Sequence, residues 1–201
     1  MNRWTRQSRV TRGEIDMDPL TRETIVKKIE NGESLSGADL SHADLSYSNL
    51  KKVDFSNANL NGAHLQNANL EGANLQGANL ENAFLFGSNL KDANLEGAML
   101  TKTNLQDTNL EGANLKGVDL SNLSLFGAQL DGANLEGTIL IRAKLKRASL
   151  IGANLKGADL SNAHLQRAVF KKADLSGANF QGANLTNADL TDAKTEGAIF
   201  D

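Results

Sequence analysis

From Leu35 to Phe200 every fifth residue is Leu or Phe, Thr195 being the one exception, and the phase never slips. Two residues before almost all of them stands a small residue, as at Ala38, Ala43 and Ala58, with Ser48, Val53, Thr103 and Thr108 among the compact substitutes. Asn or Asp commonly lies between the two, and a polar residue and then often Gly or Asn follow, as in Ala73-Asn74-Leu75-Gln76-Gly77. Period five matches neither a helix at ~3.6 residues nor a flat strand at ~2. A chain that turns a corner every five residues satisfies it. In Ala-Asn-Leu the outer residues share one side of a short extended segment and the middle one faces the other way. Leu and Ala therefore point inward and Asn points to water. Gly or Asn at the second corner position suits a type II turn, which needs a positive φ there. Four corners close a square, and successive coils should stack at about 4.8 Å.

The tandem A-(N/D)-L-x-x units resemble the pentapeptide-repeat family, and the resemblance runs unbroken from 34 to 201. It implies an all-β solenoid, a right-handed quadrilateral β-helix of about eight coils, with a short N-terminal capping helix. Asp18-Pro19 reads as an N-cap followed by Pro at the first helical position. Leu20, Val26 and Ile29 lie near one helical face, and Asn31-Gly32 ends the helix. Residues 18–33 are thus assigned to the cap and 34–201 to the repeat. Residues 1–17 carry Arg3, Arg6, Arg9 and Arg12 without an apolar h-region and are read as a disordered basic tail, not a secretory signal. The repeat is still in phase at Phe200, so the last coil has no evident cover. Pairing of two rods through Thr195, Ile199 and Phe200 would cover it, as would a few local side chains.

Several function classes fall away. No Cys is present, so disulfides, thiolate metal sites and a Cys nucleophile are excluded. His64 and His164 share an outward column but stand five coils apart, about 24 Å, too far to share a metal. A filled square rod offers no pocket for convergent catalytic groups. The expectation is a protein without enzymatic activity, cofactor or metal. No apolar run approaches the ~20 residues of a membrane span, so a soluble chain is expected, and the resemblance to stand-alone bacterial rods implies a cytoplasmic one. A net charge of −3 with one Trp and one Tyr does not describe a nucleic-acid binder, and no direct nucleic-acid contact is expected.

Coils of twenty allow the surface to be read in columns. Lys51, Glu71, Lys91, Glu111 and Asp131 form one, and Glu96, Lys116, Glu136 and Lys156 another. Their alternating signs make favourable cross-strand pairs. Elsewhere that rule fails. Residues 142–172 hold eight basic residues against Asp159 alone, whereas 53–141 hold ten acidic against three basic. Arg147 and Arg167 stack in one corner column, Lys144 and Lys146 flank the inward Leu145 beside it, and Arg142 lies at the other corner. Phe84 and Phe86 flank inward Leu85 on the same face, with Phe126 two coils below Phe86, and Ile139 and Ile141 point outward one face earlier. Such departures from the structural optimum are where function is expected. A protein partner competes here with an internal contact, in which Trp4 and Val10 of the tail fold back over the Phe residues.

The leading expectation is a rigid interaction scaffold of the stand-alone bacterial, often cyanobacterial, type, with Phe anchors and a basic collar that steers an acidic partner. The resemblance supplies the alternative, a DNA-mimicking modulator of DNA gyrase of the quinolone-resistance type. Charge opposes it. Residues 34–201 carry 18 acidic and 14 basic residues, whereas a duplex of the expected ~40 Å rod length carries about 24 negative charges.

Overall fold

The computed structural model describes residues 21–200. With one exception, each outward residue midway between corners bridges in parallel to the residue twenty positions on, from Asp39↔Asn59 to Asn179↔Ile199. Twenty residues therefore make one coil with four faces. Face 1 carries the column from Leu35 to Leu175, face 2 that from Leu40 to Phe200, face 3 that from Leu45 to Leu185 and face 4 that from Leu50 to Leu190. The ladder is continuous on both sides of a residue: the Asn59 N–H donates to Ala38 O at 2.9 Å and the Leu60 N–H to Asn79 O at 2.7 Å. Leu and Ala fill the interior, and Leu45 through Phe180 are all but inaccessible along their columns.

All corners but that of Leu105–Thr108 close with a backbone N–H···O bond over three residues, such as Ala63 N–H to Leu60 O at 3.0 Å. Every fifth residue from Gly32 to Gly197 has a positive φ, at the third turn residue only, which is the type II geometry. Half of these residues are not Gly. They include Tyr47 (φ 57°), Arg142 (56°), Arg147 (64°) and Arg167 (61°), which lack the small polar side chain that eases this conformation.

The cap differs from the sequence expectation at its start. Helix α1 spans Arg22–Glu30 with Thr21 as N-cap, its hydroxyl accepting from the Thr24 N–H at 3.3 Å. Asp18, Pro19 and Leu20 lie outside the described residues, and Ile25, not Val26, is the helix residue buried on the first coil. The end is as expected, with Asn31 as C-cap and Gly32 at φ 71°. No helix among the described residues is long and apolar enough to cross a membrane.

One step of the ladder is open. Among the described residues Met99 and Asp119 on face 2 do not bridge, and the N–H groups of Gly97, Leu100, Lys102 and Asp119 find no backbone acceptor. The adjoining inward positions explain it. Val118 and Leu123 occupy small-residue positions on consecutive faces of one coil, and their extra volume holds that coil off the one above. The next step is closed again, with Leu120 N–H on Ile139 O at 2.7 Å. By native-state hydrogen exchange, the Leu100 and Asp119 amides should exchange about tenfold or more faster than those of Leu120 and Ile139. Equal protection would show that the step is closed in solution.

Candidate interaction face

The outward Asn residues set the standard against which the site stands out. On face 1 the side-chain amides of Asn114, Asn134 and Asn154 each donate to the Oδ1 of the Asn one coil earlier at 3.1 Å. Each Oδ1 also accepts the N–H two residues on, as from Glu136 to Asn134 at 3.3 Å, so the same side chain pins the corner. The acidic columns behave differently from the expected continuous ladders. Lys51–Glu71, Lys91–Glu111 and Lys116–Glu136 pair at 2.8, 2.9 and 3.1 Å, but Lys156 turns away from Glu136 to Asp174 at 3.4 Å. Its long stem reaches two carboxylates, and Asp174 is the less exposed of them.

Hydrogen bonds from the Ser176 hydroxyl and N–H, with Lys156 alongside, hold the Asp174 carboxyl down at about 2 from an ordinary 3.8. A depressed folded value means that its stabilisation is present above pH ~4 and is lost as the pH falls towards 2. Asp174→Asn keeps the Oδ1 acceptor that the corner uses. The variant should lose less stability than the parent between pH 4 and pH 2, read from thermal unfolding at the two values. An identical loss would remove Asp174 from the acid transition.

Face 3 abandons the Asn pattern. Its outward column reads Asp44, His64, Phe84, Asn104, Ser124, Lys144, His164 and Asn184, joined by parallel bridges from Asp44 to Asn184. At His64, Phe84, Lys144 and His164 the corner-pinning acceptor is gone, so these residues are retained at the expense of local hydrogen bonding. The His64 and Phe84 rings contact at 4.9 Å between centroids. Phe84 and Phe86 are 43% and 41% exposed, as the sequence reading expected. Phe126 departs from that reading because it is half-buried, with the Arg147 guanidinium 5.9 Å from its ring centroid. The contact joins aromatic and basic groups into one patch.

Arg142, Lys144, Lys146, Arg147 and Arg167 are all exposed, and among the described residues none lies within ion-pair distance of a carboxylate. Arg142, Lys144, His164 and Gln166 line one shallow open depression, and a second, lined by Phe126, Lys144, Lys146 and Gln166, adjoins it. Ile139 and Ile141 lie on face 2, around the corner, with Ile139 38% exposed and Ile141 half-buried. Thr195, Ile199 and Phe200 sit in the last coil, where the Phe200 ring stacks on Phe180 at 5.0 Å. No group of His, Asp and Glu among the described residues is arranged to hold a metal.

Sequence reasoning missed Tyr47, at 75% the most exposed large hydrophobic among the described residues, which lies at the corner of face 3 in the column next to that of Phe86 and shares a depression with His64 and Phe86. The available signal was an aromatic residue at a corner position where Gly or Asn is usual. Met99, beside the open step, and Ile151 on face 4 are also exposed.

Pentapeptide-repeat family profiles match residues 32–62, 54–92, 88–125, 128–167 and 153–192. The chain is a pentapeptide-repeat protein. Its right-handed quadrilateral β-helix is the fold of that family. HetL, a pentapeptide repeat protein involved in heterocyst differentiation regulation from the cyanobacterium Nostoc sp. strain PCC 7120, is 40% identical. That alignment covers 84% of this chain and 76% of HetL, with a TM-score of 0.48. QnrB1, a plasmid-mediated fluoroquinolone resistance protein, is 20% identical over 74% of this chain and 86% of its own, with a TM-score of 0.58. At that identity the likeness concerns the fold alone. A search of the curated proteins finds no significant match.

Proposed function

We propose that this pentapeptide-repeat protein is a non-enzymatic interaction scaffold whose face 3 docks an acidic protein partner. The observation that carries the reading is the unpaired collar of Arg142, Lys144, Lys146, Arg147 and Arg167 on two successive coils, continuous with Phe126 through Arg147. Elsewhere on the rod the Lys residues of the regular columns find carboxylates within ~4 Å, so like charges stacked a coil apart are a departure that an acidic partner would offset. The regulatory role of HetL is compatible with a protein that acts by binding. The charge of residues 34–201, 18 acidic against 14 basic with the basic excess concentrated in this collar, bears against mimicry of a DNA duplex.

The test is a pull-down from native lysate with the parent chain beside a variant in which Lys144, Lys146, Arg147 and Arg167 are changed to Glu. A protein retained by the first should bind the second about a hundredfold or more weakly, since reversal replaces attraction by repulsion of several kcal/mol. Equal retention by both would overturn the reading and direct attention to the acidic coils.

A further inference from the structure

We infer that the group the collar docks is a phosphorylated serine or threonine side chain of the partner. The inference rests on the docking reading above and names the chemistry that this surface selects. Its seat is the shallow depression where face 3 begins, lined by Arg142, Lys144, Asn162, His164, Gly182 and Asn184. Lys144 and His164 bridge in parallel and so stand about 4.8 Å apart along the rod. Arg142 precedes Lys144 by two residues, as Asn162 precedes His164, which separates each pair by about 7 Å along its coil. These four donor-bearing residues mark the corners of a patch that one phosphate group with its hydrogen bonds would span. Gly182 (φ 68°) keeps the lower edge open, since a Cβ there would lie 2.6 Å from the Asn162 Oδ1.

Charge and donor count favour phosphate over carboxylate. Among the described residues no Asp or Glu lines the depression. The Asp159 carboxylate on face 2 is engaged, its Oδ1 accepting from the Ser161 N–H at 2.9 Å and the Asn179 amide at 3.2 Å. The Asn184 Oδ1 accepts from the Thr186 N–H and hydroxyl at 3.1 and 2.7 Å, which leaves its NH2 as the donor for a ligand. Arg142 and Lys144 bring two positive charges. A single carboxylate brings one negative charge, and an arginine fork in bidentate contact uses both of its oxygens. A phosphate monoester carries about −1.5 to −2 at pH 7 and presents three terminal oxygens. The Arg142 fork can take two of them and Lys144 the third, with His164 and the amides at the rim. The depression is too open to enclose a small molecule, so the phosphate is carried on a larger body. Phe84 and Phe86, exposed on the same face, offer that body its apolar contact.

The test titrates the isotope-labelled full-length chain with N-acetyl-O-phosphoserine amide and, separately, with a capped di-glutamate peptide of the same net charge. The pH is held at about 7.5, above the second phosphate pKa. The phosphoserine compound should shift the backbone amides of Arg142, Lys144, Asn162 and His164 and half-saturate about fivefold or more below the peptide. Arg142→Gln and Lys144→Gln should each raise its half-saturation about fivefold or more with circular dichroism unchanged, and either variant suffices should the other perturb the fold. Equal half-saturation by the two compounds, or no localised shift with either, would overturn the inference and leave acidic docking to the lysate test. In that test, phosphatase treatment of the lysate should cut retention by the parent chain about tenfold. Undiminished retention would overturn the inference, while its loss on charge reversal would still uphold the docking reading. Sedimentation with phosphatidylserine vesicles that Arg142→Gln abolishes would overturn it too, by assigning the phosphate to a lipid.

Discussion

Leu85→Ala should destabilise the protein by about 2–5 kcal/mol, whereas Leu190→Ala should cost well under half as much. The two residues occupy the same repeat position and differ in what stacks on them. Leu85 is 0% exposed and has coils on both sides. Leu190 is half-buried in the last coil, with a neighbour on one side only. In a solenoid each coil contacts only its neighbours, so truncation within the rod leaves a cavity bounded by two layers and truncation at the end exposes atoms already near water. Urea denaturation of both variants checks the difference. Equal losses would mean that the end coil packs as tightly as the middle.

The Leu and Ala columns were legible in the sequence because a period and a volume suffice to place them. The corners were legible for the same reason, and the turn type followed from Gly77 and its equivalents. Features that depend on a choice between neighbours were not. Lys156 pairs with Asp174 instead of Glu136, which a column reading does not distinguish because both carboxylates lie within its reach. Thr21 caps α1 where Asp18 was expected, since both are good capping types and spacing alone does not rank them. The open step between Met99 and Asp119 requires the volumes of Val118 and Leu123 to be summed across a corner. On face 3, the lost Asn pattern was visible as a string of residue types, but the partial cover of Phe126 by Arg147 depends on a side-chain rotamer.

The basic corners connect fold and function through their backbone. Arg142 and Arg167 hold φ of 56° and 61°, a region that costs a residue with a Cβ roughly 1–2 kcal/mol. Glycine removes that strain and adds about 0.5–1 kcal/mol of unfolded-chain entropy, so each Arg→Gly change should stabilise by roughly 0.5–1 kcal/mol. Arg167→Gly also relieves the like charge stacked beneath Arg147. At Arg147 the gain should nearly vanish, because its contact with Phe126 is worth about 0.5–1 kcal/mol. The Arg142→Gly, Arg167→Gly double variant is therefore expected to be more stable than the parent by roughly 1–2 kcal/mol and to bind the acidic partner more weakly. Urea midpoints and the pull-down read the two effects separately. A double variant less stable than the parent would show that these arginines support the fold through contacts of their own. They would then be structural residues, and the case for the collar as a docking surface would rest on Lys144, Lys146 and Arg147.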